Sequence, residues 1–243
     1  MAFVGKRYKA DIARTRDRME KVKRFKGMLI VAGVSMLIVL IIAGIYWQTS
    51  PRMLYPEEIR EYEGQDLSSL VDIRDNAIKG TQYINASTYR LTINGLVNKT
   101  LEFTYDQVIN GHQKYQKVVT LHCVQGWSAK ILWEGILVRD LIQAAGNNSA
   151  AKVVIFHASD DYTTSFPLDY FFDNDILIAY KMNDVVIPQE KGFPFQLVAE
   201  SKYGYKWIKW ITQIELSDNE NYKGYWESSG WPNDADIPDN LPP

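Results

Sequence analysis

Residues Gly27 to Trp47 read GMLIVAGVSMLIVLIIAGIYW, and no charged side chain occurs between Lys26 and Arg52. At ~1.5 Å rise per residue such a run covers roughly 30 Å as a helix, the thickness of a hydrocarbon core. Tyr46 and Trp47 close it with the aromatics that favour a membrane interface. The run is too long for a signal-peptide core and no small-x-small cleavage pattern follows it, so it reads as an uncleaved transmembrane anchor over 27–47. A chain with this segment has to fold in two parts, one in lipid and one in water.

Flanking charge sets the orientation. Residues 1–26 form a basic arm in which Lys6, Arg7, Lys9, Arg14, Arg16, Arg18, Lys21, Lys23, Arg24 and Lys26 are opposed by Asp11, Asp17 and Glu20. The whole chain carries −2, so everything after the arm is acidic. Positive charge before the span and Glu57, Glu58, Glu61 and Glu63 after it put the arm in the cytoplasm and the remainder outside. A nucleic-acid patch is the other reading of the arm, but beside a membrane span, topogenesis and contact with anionic lipid explain it.

Residues 48–66 are expected to be a linker, acidic from Pro51 to Asp66, and 67–243 a single domain. Seven Trp and fifteen Tyr indicate aromatic packing rather than a disordered stalk. Alternation predicts strands at 89–93, 101–103, 117–123, 153–157, 163–166, 176–180, 185–187, 195–199 and 207–216. Thr104 and Gln107 have capping-box spacing ahead of a short helix ending near Gly111. Leu137, Leu141 and Ala145 share a helical stripe stopped by Gly146. Many strands and few short helices, in no regular βαβ order, give a mixed α+β domain.

Cys123 is the chain's one cysteine. It cannot form an intrachain disulfide, and a free thiol facing outward has to be buried or bound. On a strand, His122 and Cys123 point to opposite faces, which argues against a Cys–His nucleophile pair. His112 and His157 fall in no metal-ligand spacing, so a zinc site is not indicated. From residue type alone, Cys123 reads as a small buried hydrophobe.

The string Leu121-His122-Cys123-Val124-Gln125-Gly126-Trp127-Ser128, followed by Trp133-Glu134-Gly135-Ile136-Leu137-Val138-Arg139-Asp140-Leu141-Ile142, resembles the molybdenum-binding segment of the sulfite oxidase family. A second block, Gly192-Phe193-Pro194-Phe195-Gln196-Leu197-Val198-Ala199-Glu200 and then Lys202-Tyr203-Gly204-Tyr205-Lys206-Trp207, is similar to the family's G-x-P-x-R-L-V and Y-G-x-K pattern. Tyr89 to Val97 resembles its early strand, and Gly224-Tyr225-Trp226-Glu227 a closing motif. The resemblance implies a sulfite-oxidase-type molybdopterin-binding fold and a molybdenum–molybdopterin cofactor. It makes Cys123 the protein ligand to the metal, a role suited to a soft thiolate. It further implies cofactor contacts from Asn76, Ser159, Lys191, Gln196, Gly204, Tyr205 and Lys206, with Lys206 on the phosphate and Tyr162 at the pocket edge. Asn76 as a turn residue, Ser159 and Tyr162 in a plain strand turn, and lysines 202, 206 and 209 as solvated surface groups are the structural alternatives.

Two departures bear on substrate. Gln196 stands where the family often has arginine, and lacks its charge and bidentate fork. Lys191, where relatives carry asparagine, restores a positive charge. Arg74, Arg90 and Arg139 are the arginines of the domain's central stretch, fewer than a dedicated sulfite pocket asks for. The expectation is therefore a membrane-anchored, outward-facing oxidoreductase that transfers an oxygen atom to or from a small sulfoxide- or oxyanion-like substrate. Without a haem or iron–sulfur motif, it needs a membrane electron-transfer partner, cytochrome- or quinone-linked. A cofactor-free binding module and a tethered thiol enzyme are the alternatives. Lys23-Arg24-Phe25-Lys26 is at most a degenerate twin-arginine signal for folded export.

Overall fold

The computed structural model describes residues 18, 19, 23–26, 28–30, 32–44 and 55–238. The chain divides into two units, Met1–Arg52 and Met53–Pro243. In the first, helix α1 (Lys23–Gly44) has a mean hydropathy of 2.6 and none of it is buried, which by length and composition is enough to cross a membrane. Most of the expected basic arm, the last three residues of the expected span and the first part of the expected linker lie outside the described residues.

The second unit begins by folding back on itself. Within the stretch expected to be a linker, β1 (Glu61–Tyr62) and β2 (Gln65–Asp66) pair as a hairpin. Glu58 accepts a hydrogen bond from the backbone N of Leu70 at 2.9 Å, and Ile59 N donates to Asn183 O at 3.1 Å. These residues are tied to the domain because their acidic and backbone groups find buried partners there.

Two five-stranded sheets make the body. In one, β5 (Tyr115–Cys123), β6 (Trp127–Leu137), β9 (Leu177–Met182) and β10 (Val185–Val186) run side by side, and β11 (Gln196–Val198) also pairs with β9. In the other the order is β4 (Leu101–Thr104), β3 (Arg90–Gly95), β12 (Ile211–Ser217), β7 (Val153–Ala158) and β8 (Thr163–Pro167). Only β3 and β12 are parallel there, bringing the early and late parts of the domain into register from Thr92↔Gln213 onward. Helix α2 (Tyr105–Gly111) starts at the expected capping box, with Thr104 and Gln107 exchanging both bonds. Helix α3 (Val138–Ala145) buries Val138, Leu141, Ile142 and Ala145 and stops at Gly146, whose φ is 68°. Helix α4 (Asp169–Asp173) sets Phe171 against Phe156 at 5.5 Å between ring centroids.

Two stretches differ from the sequence expectation. Strand β6 was not anticipated: from Ile131 onward only Glu134 is not buried, so alternation is lost there, and Gly135 sits inside it. That glycine marks a register shift against β9, where a Cβ would stand 2.3 Å from Ile178 O. The strand expected from Trp207 begins only at Ile211. Ahead of it the chain turns: Trp207 Nε1 donates to Lys202 O at 2.8 Å, Trp210 Nε1 to Gln189 O at 2.7 Å, and Trp210 adopts a φ of 53°.

Candidate active site

Cys123 is the last residue of β5 and faces Trp127 across a tight turn closed by Gly126 N donating to Cys123 O at 3.0 Å. The turn holds the thiol at the edge of the sheet, where it lines a cavity of about 530 Å³. His122, one step back and opposite Ser128, does not line this cavity; it borders a neighbouring hollow that Cys123 also reaches.

Four further segments bring expected residues to the cavity walls. The irregular stretch 73–78 contributes Asn76. The 3-10 turn Gln189–Lys191 contributes Lys191, and β11 contributes the buried Gln196. The 3-10 turn Gly204–Lys206 contributes Gly204 and Tyr205. Sequence reasoning had singled out each of these five residues, and the fold gathers them around Cys123. Gly204 packs against the end of β5: a Cβ there would lie 3.3 Å from His122 O and 3.4 Å from Leu121 Cδ2. Lys191, almost fully buried, donates to Ile73 O at 2.7 Å and to Asp75 Oδ2 at 2.8 Å, pinning the 73–78 wall.

Two expected contacts are placed elsewhere. Ser159 is exposed and off the cavity, its backbone N donating to Trp210 O at 3.1 Å. Its neighbour Asp160 is the group that faces inward; it is 2 % exposed and accepts from Tyr162 N at 3.1 Å. Tyr162 lines the cavity edge and donates its hydroxyl to Tyr205 O. Burial, with Glu227 and Asp160 nearby, pushes that phenol well above its ordinary range, so it stays a hydrogen-bond donor.

Lys206 is the larger correction. It is fully buried and does not line the cavity. Its Nζ lies 2.7 Å from Glu227 Oε1, 2.6 Å from Ser165 O and 3.5 Å from Asn233 Oδ1, so its three protons are already directed. An ammonium committed in this way has no proton left for a phosphate.

Lys209, three residues on, does line the cavity. It donates to Glu190 O at 3.3 Å, stands 4.4 Å from the Trp210 ring centre, and has no carboxylate within 4.0 Å among the described residues. Burial pulls its pKa down to about 8, with Asp75 opposing the shift and Lys191 adding to it. A half-buried cation short of partners beside Lys191 is the electrostatic signature of an anion site. The sequence signal for it is a lysine inside the apolar run Trp207–Ile211, where a purely structural residue would be apolar.

Arg74 lines the cavity, whereas Arg90 pairs with Glu102 at 3.6 Å and Arg139 with Asp175 at 2.7 Å, both off it. Trp226 and Trp231 form the mouth, each 39 % exposed. Trp127 also lines the cavity, and its buried Nε1 has no partner among the described residues. A hollow of this volume with one thiol, two lysines, an unsatisfied indole N–H and a glycine that keeps backbone close fits a sulfur-ligated metal carried by a phosphate-bearing heterocycle.

Residues 78–226 match the family described as oxidoreductase molybdopterin binding domain. The uncharacterized oxidoreductase YuiH of Bacillus subtilis is 33 % identical over 150 residues, covering 61 % of this chain and 75 % of that protein. The protein-methionine-sulfoxide reductase catalytic subunit MsrP of Campylobacter jejuni is 28 % identical over 169 residues, covering 63 % of this chain and 56 % of that one. Among solved structures, the sulfane dehydrogenase SoxCD from Paracoccus pantotrophus superposes with a TM-score of 0.54 at 24 % identity, over 57 % of this chain and 40 % of that one, a likeness of fold.

Proposed function

Because the chain belongs to the oxidoreductase molybdopterin binding domain family, whose cofactor is molybdenum–molybdopterin, we propose that it is a membrane-anchored oxidoreductase in which Cys123 Sγ ligates the metal. When bound, the group supplies two-electron exchange of an oxygen atom with a small substrate. The chain's own residues bind and orient. Lys209 and Lys191 offer positive charge to the phosphate. Gly204, Asn76 and Gln196 admit the heterocycle and hydrogen-bond it, and Trp127 Nε1 gains a partner. Asp160 and Tyr162 hold the wall beside Tyr205.

The observation that carries this reading is the position of Cys123: the only thiol of the chain lies on the wall of a cavity of about 530 Å³ together with Asn76, Lys191, Gln196, Gly204 and Tyr205. A cofactor-free binding module leaves the cationic wall without a reason. Of the two substrate chemistries, a neutral sulfoxide is favoured over an oxyanion. Arg74 is the cavity's arginine among the described residues, and two indoles form the mouth. Helix α1 supports anchoring by its length and mean hydropathy of 2.6, and the basic residues before it support an outward domain. Electrons then pass through a membrane partner, cytochrome- or quinone-linked, since the chain has no haem motif and a single cysteine.

Elemental analysis of the full chain, purified from a host that makes the cofactor, tests this. The expected result is about one molybdenum per wild-type chain and less than roughly a tenth of that in Cys123→Ala, since metal binding depends on its ligand set. Full loading of the Cys123→Ala variant, or none in the wild type, would falsify the proposal.

A further inference from the structure

The buried charge pair at the foot of the cavity mouth has a role that metal binding does not require. Helix α5 (Tyr225–Ser228) is four residues long and its N-cap makes no side-chain hydrogen bond. A single turn cannot hold itself in water. It nevertheless carries Trp226, with Trp231 just beyond, and both indoles face the cavity. Their ring centres are 6.2 Å apart, and Trp231 lies 5.4 Å from Tyr205.

Lys206 and Glu227 anchor this segment from below. Glu227 is 1 % exposed, and its Oε1 accepts from Lys206 Nζ at 2.7 Å and from Thr164 Oγ1 at 2.7 Å. Lys206 also reaches Ser165 O on β8 and Asn233 beyond Trp231, so one ammonium ties both ends of the aromatic segment to the sheet. Tyr205, its neighbour on the cavity wall, donates its hydroxyl to Pro232 O at 2.8 Å. At Gly224 the segment lies directly on β8, since a Cβ there would stand 2.3 Å from Thr163 O.

The pair is not the cheapest way to fill this space. Glu227 Oε2 is buried with no partner among the described residues. Two apolar side chains of similar volume are often as stable as a buried ion pair or more so. What the pair adds over an apolar filling is direction, because hydrogen bonds fix where α5 sits and hydrocarbon contacts do not.

We propose that Lys206 and Glu227 are positioning residues that set the Trp226–Trp231 wall over the cavity and so govern substrate entry, without touching substrate or cofactor. The substrate part rests on the function proposed above; the positioning part rests on the contacts alone. The test compares the full-length holo chain with Lys206→Met, Glu227→Gln and the double variant Lys206→Met/Glu227→Met. Relative to amides elsewhere in the same variant, exchange in 224–233 should quicken about tenfold in Lys206→Met and a few-fold in Glu227→Gln. Molybdenum content should not change. With dimethyl sulfoxide as probe and a reduced dye as electron donor, KM should rise roughly tenfold while kcat stays within about twofold. The double variant should regain thermal stability and keep the raised KM, which a merely structural pair would not do. Loss of molybdenum in Lys206→Met with 224–233 still protected overturns the proposal, as does a double variant with wild-type KM. Should Lys206→Met fail to fold, Glu227→Gln decides: wild-type exchange there overturns it too. Exchange is read without turnover, so a wild type lacking molybdenum sinks the functional reading and leaves this one standing.

Discussion

Lys206 and Lys209 share one loop and meet burial in opposite ways. Lys206 is enclosed with a carboxylate, a backbone carbonyl and a side-chain amide around it. Lys209 is half enclosed with one long bond to Glu190 O and an indole beneath it. Burial lowers the pKa of both, but at Lys206 the Glu227 carboxylate works against the shift from contact distance. At Lys209 burial takes the pKa down to about 8, because only a more distant Asp75 opposes it and Lys191 repels. A saturated buried cation holds structure. An unsaturated one on a cavity wall is poised for something that is not part of the chain.

The largest expected effect breaks the first of these sites. Lys206→Met strands Glu227 as an uncompensated buried charge, and removing one partner of such a pair costs about 3–5 kcal/mol. Denaturant titration should show this, with Lys206→Met/Glu227→Met recovering most of it. Lys209→Met, by contrast, should leave the cofactor-free chain at least as stable as wild type at neutral pH, since it removes a cation that burial disfavours. Its effect belongs to cofactor retention: loss of one charge-assisted contact of ~1.5 kcal/mol should speed release of the pterin about tenfold during gel filtration.

A subtler separation uses pH. Lys209 titrates near 8 in the folded chain and near 10.5 when unfolded. Between those values the unfolded chain binds the extra proton, so the stability of the cofactor-free chain rises with pH across that window. Thermal melts through the window should show the rise, and Lys209→Met should flatten it. Uptake of a phosphate-bearing pterin runs the other way and should weaken above about pH 8, as the ammonium is lost. The smallest effect is a control outside both sites. Thr104→Ala removes one half of the α2 capping box and should cost about 1 kcal/mol in the same titration with no change in metal content.

Local chemistry made part of this molecule legible in its sequence. The capping box at Thr104, the stop at Gly146 and strands such as β3, β5 and β7 are decided within a few residues, and they stand close to where expected. Strand β6 escaped because burial from Ile131 onward removes the period-two signal and Gly135 looks like a breaker, although it is the residue that lets β9 come close. Trp207 to Trp210 alternate like a strand but are turned by hydrogen bonds to Lys202 and Gln189, which adjacent residues do not reveal. In the site, Cys123 and Gly204 were recognisable because their motifs are contiguous. Ser159 against Asp160 is a matter of one register step in a tight turn. Lys206 against Lys209 could not be settled from spacing at all, because Glu227 and Ser165, which bind the first, arrive from distant segments.

The parallel pairing of β3 with β12 has a consequence for how the molecule is born. While the ribosome is still working, residues 90–95 have a partner on one side only, β4, and their other edge stays open until 213–216 emerge. The cavity walls run from Ile73 to Trp231, so no fragment ending before Trp231 contains a complete pocket. The pterin must therefore wait for a chain that has emerged past that residue. A prematurely terminated one would expose a bare strand edge, the kind of surface that quality control and aggregation both recognise.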